Sequence, residues 1–158
     1  MPRLNNGDPF PNLTLDTVAD GTLSLTRHLS GFYGAVLIYR GSWCPYCNAQ
    51  LAAFARAREK LDELGLKTAA LSVDSKVDAA ALVDKHKLSF PVAYGADADK
   101  IAAATGAYVN DSPRYLQSTG FVLDPNGKVI TAVYSSGAIG RLVAEDVVGL
   151  IRYVKSKA

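Results

Sequence analysis

The sequence predicts an α/β fold, with a central mixed β-sheet flanked by helices and an N-terminal β-hairpin. An uninterrupted apolar run, Ala35 to Tyr39 (AVLIY), marks a central strand buried on both faces. Helical patterns alternate with short β segments after it, so the chain must cross over the sheet through helices. Ahead of it, residues 12–25 alternate apolar and polar positions around Asp20-Gly21, a turn pair suited to a hairpin.

The hairpin carries Leu13 and Leu15 on one arm, with Leu23 and Leu25 on the other. Thr26 to Leu29 reads as a short helical turn ending near Gly31. After the central strand comes Arg40-Gly41-Ser42-Trp43-Cys44-Pro45-Tyr46-Cys47, then one long helical pattern. Leu51, Phe54, Leu61 and Leu64 fall on its apolar stripe, and Gly65 stops it. Lys67 to Val73 reads as the next strand. Val77 to His86 reads as a helix capped by Asp74 or Ser75. Phe90 to Tyr94 suggests a short strand entered through Pro91. Ala98 to Thr105 is an alanine-rich helix with Gly106 at its end, in a cap region containing Asp97 and Asp99. Residues 107–118 read as a loop near the site. Phe121–Leu123 and Lys128–Tyr134 flank the turn Asp124-Pro125-Asn126-Gly127, and Leu142 to Val154 is the closing helix.

The length of 158 residues suits one domain with one substantial core, spanning residues 1–158. A hydrophobic fraction of 49% and a charged fraction of 20% are ordinary for a soluble globular chain. The net charge of +2, without runs of like charge, gives no case for nucleic acid or an anionic membrane. No apolar stretch reaches a membrane span, and Met1 to Asp8 lack the apolar core of a signal peptide. A cytoplasmic location is the resulting expectation.

The 2 cysteines stand three apart. In a chain of this length random placement gives that spacing about once in eighty trials, so the pair is informative. A reducing compartment and a very short loop both argue against a structural disulfide. Pro45 suits the first helical position, which places Cys44 at the N-cap and Cys47 in the first turn. One turn brings both side chains to the same face, within reach of a disulfide. Free N–H groups and the helix dipole favour an anion there, which lowers a thiol pKa and yields the reactive thiolate. The bland alternative is a pair of core cysteines. A zinc site needs two further ligands, and only His28 and His86 are available, neither in a ligand-spaced motif. These histidines read as ordinary surface or interface residues, and no paired-carboxylate signature is present.

WCPYC between a strand and a long helix resembles the active-site motif of the thioredoxin and glutaredoxin superfamily. The rest of the chain is similar to the peroxiredoxin branch of AhpC/TSA type. That likeness rests on Gly7-Asp8-Pro9-Phe10-Pro11, the Asp20-Gly21 hairpin, VLIYRGSWCPYC, LSFPVAYGAD at 88–97 and GFVLDPNGKV at 120–129. The resemblance implies a thioredoxin-like fold and thiol redox activity, with no bound cofactor. Two departures stand out. Where peroxiredoxins carry Pro-x-x-x-Thr/Ser-x-x-Cys, this chain has Arg40, Cys44 and Cys47. Where they carry an arginine that helps bind peroxide, it has Ser118, which is not the cis-proline of thioredoxins either.

Two assignments of roles follow. By thioredoxin logic Cys44 is the exposed attacking thiolate and Cys47 resolves; by peroxiredoxin logic the roles reverse. The first is preferred, because Cys44 stands at the open helix tip and the threonine and arginine that would hold peroxide are missing. Disulfide exchange needs only an accessible thiolate, a good leaving thiol and a resolving neighbour. Arg40 is the candidate substitute for the missing cation. Arg114 and Arg141 lie in loop-like segments able to fold over the site, although each alone reads as a surface arginine. Trp43 and Tyr46 form an apolar collar for a thiol partner or simply pack; Tyr39 belongs to the core strand. The first expectation is therefore a thiol–disulfide oxidoreductase regenerated by a thioredoxin- or glutathione-type reductant. The alternatives are a thiol peroxidase acting on hydrogen peroxide or organic hydroperoxides, and a non-catalytic redox sensor. The resemblance alone suggests a homodimer.

Overall fold

In the computed structural model, which describes residues 3–19 and 21–157, the chain opens with β1 (Thr14–Thr17) and β2 (Thr22–Ser24). These pair antiparallel, Leu15 opposite Leu23, as the alternation predicts. Gly21 turns with φ +78°, a value glycine adopts freely, and Asp20 lies outside the described residues. Helix α1 (Leu25–Leu29) starts at Ser24, whose hydroxyl caps Arg27 N–H. The central strand β3 (Tyr33–Ile38) begins two residues before the apolar run.

The long helix expected after Cys47 is two helices, α2 (Pro45–Arg56) and α3 (Arg58–Glu63), broken at Ala57. No proline or glycine stands there, so the break has no signal in the sequence. The apolar stripe survives it, because Leu51, Phe54 and Leu61 are all buried. There follow β4 (Leu66–Leu71), α4 (Lys76–His86), β5 (Val92–Tyr94) and α5 (Ala98–Thr105). Ser75, not Asp74, caps α4 through Asp78 N–H. Asp97 caps α5, and Gly106 ends it in the left-handed region. Residues 107–118 are not purely loop: β6 (Val109–Asn110) and β7 (Tyr115–Leu116) pair within them. The chain closes with β8 (Thr119–Leu123), β9 (Val129–Tyr134) and α6 (Ala144–Lys157).

Seven strands form one mixed sheet in the order β2-β1-β5-β4-β3-β8-β9. β3 runs parallel to β4 and antiparallel to β8, so it is hydrogen-bonded on both edges. Its side chains alternate between two cores. Ala35 and Leu37 join residues of α2, α3, α4 and α6 on one face. Val36 and Ile38 join residues of α1 and α5 on the other. Burial on both faces is why the strand reads as a continuous apolar run. The carboxyl end of β3 leads straight into the two cysteines, where open α/β sheets place ligands. Among the described residues no helix is long and apolar enough to cross a membrane.

Leu37 is fully buried at the centre of the sheet, whereas Val77 on α4 is 77% exposed. Leu37→Ala is expected to destabilise by about 2–5 kcal/mol. Val77→Ala is expected to stay within about 0.5 kcal/mol of wild type. Urea unfolding midpoints measure both.

Candidate active site

The site is built on the turn between β3 and α2. Cys44 N–H bonds Gly41 C=O at 3.1 Å, closing the turn. Cys44 is the N-cap of α2 with extended backbone, and Pro45 takes the first helical position. The Cys44 sulfur accepts from the Cys47 backbone N–H at 3.2 Å, taking the part that a serine or aspartate oxygen plays at other N-caps. The Cys47 thiol lies 2.7 Å away and donates to it as well. Cys47 Sγ in turn accepts from Arg40 N–H at 3.3 Å. No disulfide joins the two sulfurs in this structure.

Cys44 sits at the helix tip, but the tip is closed: both cysteines are fully buried. Arg40 reaches across it. Its Nη1 lies 3.7 Å from Cys44 Sγ, Nη2 donates to Tyr115 Oη at 2.9 Å, and Nε donates to Gln117 Oε1 at 3.0 Å. The guanidinium lies 4.9 Å from the Trp43 ring and 5.2 Å from Tyr115, and these rings meet edge to face at 4.9 Å. Gly41 makes room for this arrangement, since a Cβ there would overlap Trp43 Nε1 and lie 2.8 Å from Cδ1. Trp43 and Tyr46 remain 55% and 50% exposed, so they rim the site more than they pack the core.

A second guanidinium approaches from the loop before α6. Arg141 Nη1 lies 3.4 Å from Cys47 Sγ and 3.5 Å from Gln50 Oε1, and Nη2 donates to Ala138 C=O at 2.5 Å. Gln50 Nε2 donates to Leu142 C=O at 2.9 Å, tying that loop to α2. Ser118 is buried, and its carbonyl accepts from Ser135 N–H. Ser118 brings no cation to the sulfurs, whereas Arg141, 23 residues further along the chain, does. Arg114 stays exposed and pairs with Asp99 and Asp111, away from the sulfurs.

The electrostatics separate the two thiols. Burial pushes Cys44 up, but its hydrogen bonds from the Cys47 thiol, Cys47 N–H and Arg40, with the charge of Arg141, outweigh burial and hold it below the ordinary thiol range. Burial also pushes Cys47 up, and donation to Cys44 adds to this; Arg40 N–H and Arg141 only partly offset them. Of the two thiols, Cys44 is therefore the more readily deprotonated and Cys47 the one that holds its proton more tightly.

Other site residues carry weak signals in the sequence. Tyr115 and Gln117 lie in the stretch read as a loop near the site. Gln50 is a polar residue in a helical stripe with Cys47, Leu51 and Phe54, all buried, which is its one signal. Asp74 turns away from α4 to accept Ser42 N–H at 2.8 Å. Burial pushes its carboxyl up, and the Ser42 N–H only partly offsets this. His86, read as a surface or interface residue, lies 2.6 Å from Asn48 Oδ1. Tyr39 is fully buried just past β3, and burial pushes its hydroxyl up. Among the described residues no three His, Cys, Asp or Glu side chains gather to hold a metal.

The sequence profile of the AhpC/TSA family matches residues 6–132. The chain belongs to the AhpC/TSA family. It is 29% identical over 160 residues to a peroxiredoxin of Treponema denticola, covering 99% of this chain and 74% of that one. It is 29% identical over 147 residues to a putative peroxiredoxin of Mycobacterium tuberculosis, covering 89% and 91%. The crystal structure of the peroxidoxin BcpB from Mycobacterium tuberculosis superposes with TM-score 0.84 at 18% identity, covering 96% and 99%. Mycobacterium tuberculosis AhpC superposes with TM-score 0.82 at 19% identity, covering 99% and 96%. These likenesses place the AhpC/TSA chain in the thioredoxin fold, and with its family membership they make it a thioredoxin-fold oxidoreductase.

Alkylation of reduced protein by iodoacetamide tests the separation of the thiols. Because Cys44 is held low, its rate should rise with pH to a half-maximum below the ordinary thiol value of about 8.5. Arg40→Met removes one of the donors and should move that half-maximum upward. Mass spectrometry of the peptide carrying both cysteines assigns the modified sulfur.

Proposed function

We propose that this AhpC/TSA protein is a thiol peroxidase that reduces hydrogen peroxide or an organic hydroperoxide. The missing arginine and threonine had favoured disulfide reduction. The observation that carries the revised order is the pair of guanidinium groups at the sulfurs: Arg40 lies 3.7 Å from Cys44 Sγ and Arg141 lies 3.4 Å from Cys47 Sγ. Two fixed cations beside the reacting atoms stabilise the negative charge that develops on a departing oxygen. Family membership and the peroxiredoxin relatives support the same reading.

Cys44 is the attacking group, because its sulfur is the more readily ionised of the two. The sulfur bonds to the terminal oxygen of ROOH, the O–O bond breaks, and the alkoxide (hydroxide when the substrate is hydrogen peroxide) leaves. That oxygen takes the proton of the adjacent Cys47 thiol. Cys47, now a thiolate beside Arg141, attacks the Cys44 sulfenic acid. The S–S bond forms, the S–O bond breaks, and hydroxide leaves to be protonated to water. The peroxide gains two electrons and the dithiol becomes a disulfide. A thioredoxin- or glutathione-type dithiol or thiol system returns the electrons.

Disulfide exchange by the same dithiol is the second reading. The half-exposed rings of Trp43 and Tyr46 favour it, as they offer a flat surface to a thiol partner.

Single-cysteine variants test the assignment. Cys47→Ser, treated with one equivalent of hydrogen peroxide, should accumulate a Cys44 sulfenic acid trapped by dimedone. Cys44→Ser should lose at least about 10²-fold in peroxide consumption, in line with removal of an essential nucleophile. Sulfenic acid forming on Cys47 in the Cys44→Ser variant at the wild-type rate would reverse the roles.

A further inference from the structure

The turn ahead of Cys44 is gripped from two sides by groups that touch neither sulfur. On one side Asp74 Oδ2 accepts Ser42 N–H at 2.8 Å. On the other, Asn48 Nδ2 donates to Ser42 C=O at 2.9 Å and to Cys44 C=O at 2.8 Å. Both backbone polar groups of Ser42 are thus committed to side chains outside the turn. The Cys44 carbonyl also receives the first helical bond, from Asn48 N–H at 3.0 Å.

The orientation of the Asn48 amide is itself determined. Two carbonyls face its nitrogen, so Nδ2 must be the NH2 group and Oδ1 must face His86. His86 Nε2, at 2.6 Å, then carries a proton and donates to Oδ1. His86 stands in the last turn of α4, so the amide is anchored to a second helix. Asn48 follows Cys47 directly and lies four residues past Cys44, one helical turn beyond it. It is half-buried, and its three hydrogen bonds use both of its N–H donors and one lone pair of Oδ1.

We propose that Asn48 is a positioning residue for Cys44, holding the Ser42 and Cys44 carbonyls so that the Cys44 sulfur is aimed at the Cys47 N–H. The inference rests on Cys44 being the attacking thiol. The link is geometric. Cys44 Sγ accepts the Cys47 N–H only while the N-cap backbone keeps its extended conformation, φ −88° and ψ 114°. Asn48 fixes the peptide group before Trp43 and the one after Cys44, bracketing the two residues that lead into the helix. Loosening them lets Cys44 turn away from the N–H and from Arg40. Both donors favour the thiolate, so their loss raises the thiol pKa without removing any group that touches sulfur.

The test is the pH profile of Cys44 alkylation by iodoacetamide in reduced full-length Asn48→Ala, with the modified cysteine assigned by mass spectrometry. The half-maximum should move upward by about one unit, and the rate near pH 7 should fall about tenfold. His86→Leu releases the amide from its anchor and should shift the profile in the same direction by a smaller amount. A residue that only stabilises the fold would lower the melting midpoint and leave the profile in place. A folded Asn48→Ala whose profile superimposes on wild type overturns the inference. If Asn48→Ala does not fold, an unshifted profile in His86→Leu overturns it instead. Alkylation reports the thiolate whatever its substrate. Failure of the wild type to consume peroxide would therefore count against the proposed peroxidase and leave this inference standing.

Discussion

Two sulfurs 2.7 Å apart at the first turn of one helix cannot both be negative, and the structure around them follows from that constraint. The chain must choose which sulfur keeps the proton. It does so by giving Cys44 the helix N–H, the Arg40 guanidinium and the Cys47 thiol as donors. Cys47 lies behind, packed with Leu51 and Phe54 in the core. The central strand matters to the chemistry for this reason. Because β3 is locked on both edges and both faces, the turn it delivers has little freedom, and the helix dipole points at a fixed place.

The two arginines show how one requirement is met by different parts of a fold. Ser118 lacks the cation that the family resemblance assigns to its position. Arg141 reaches Cys47 from the loop before α6, supported by Gln50 and the Ala138 carbonyl. Arg40 stands where the family pattern has proline, and Tyr115 and Gln117 hold it over Cys44. A proline at that position has no charge to offer. Arginine in place of proline and cysteine in place of threonine thus change the electrostatics and add a second sulfur in one short segment.

Much of the fold was legible because its signals are local. The AVLIY run, the WCPYC segment and the Asp97 and Gly106 ends of α5 each encode their structure within a few residues. Features set by tertiary contact were not legible. The break at Ala57 has no breaker residue, and the pattern leaves Asp74 and Ser75 as equal cap candidates until the Asp74 carboxylate meets Ser42. The dithiol and Arg40 were visible as candidates, because they are neighbours in sequence. Arg141 could only be suspected, since 94 residues separate it from Cys47. Cys44 was expected to be exposed, because a helix tip is ordinarily open. Arg40 approaches the Cys44 sulfur from a position that Tyr115 and Gln117 hold from a distant segment, which no local pattern announces.

Trp43 is the single tryptophan, adjoins Cys44 and contacts Arg40, so its fluorescence reports events at the Cys44 sulfur. Rapid mixing of the reduced protein with hydrogen peroxide, and separately with oxidised glutathione, is the most direct test of the peroxidase reading. A fast change whose rate rises with peroxide concentration, beside a slow response to the disulfide, is the expected result. A slow peroxide phase beside a fast disulfide phase would contradict it and make disulfide exchange the chemistry of this dithiol.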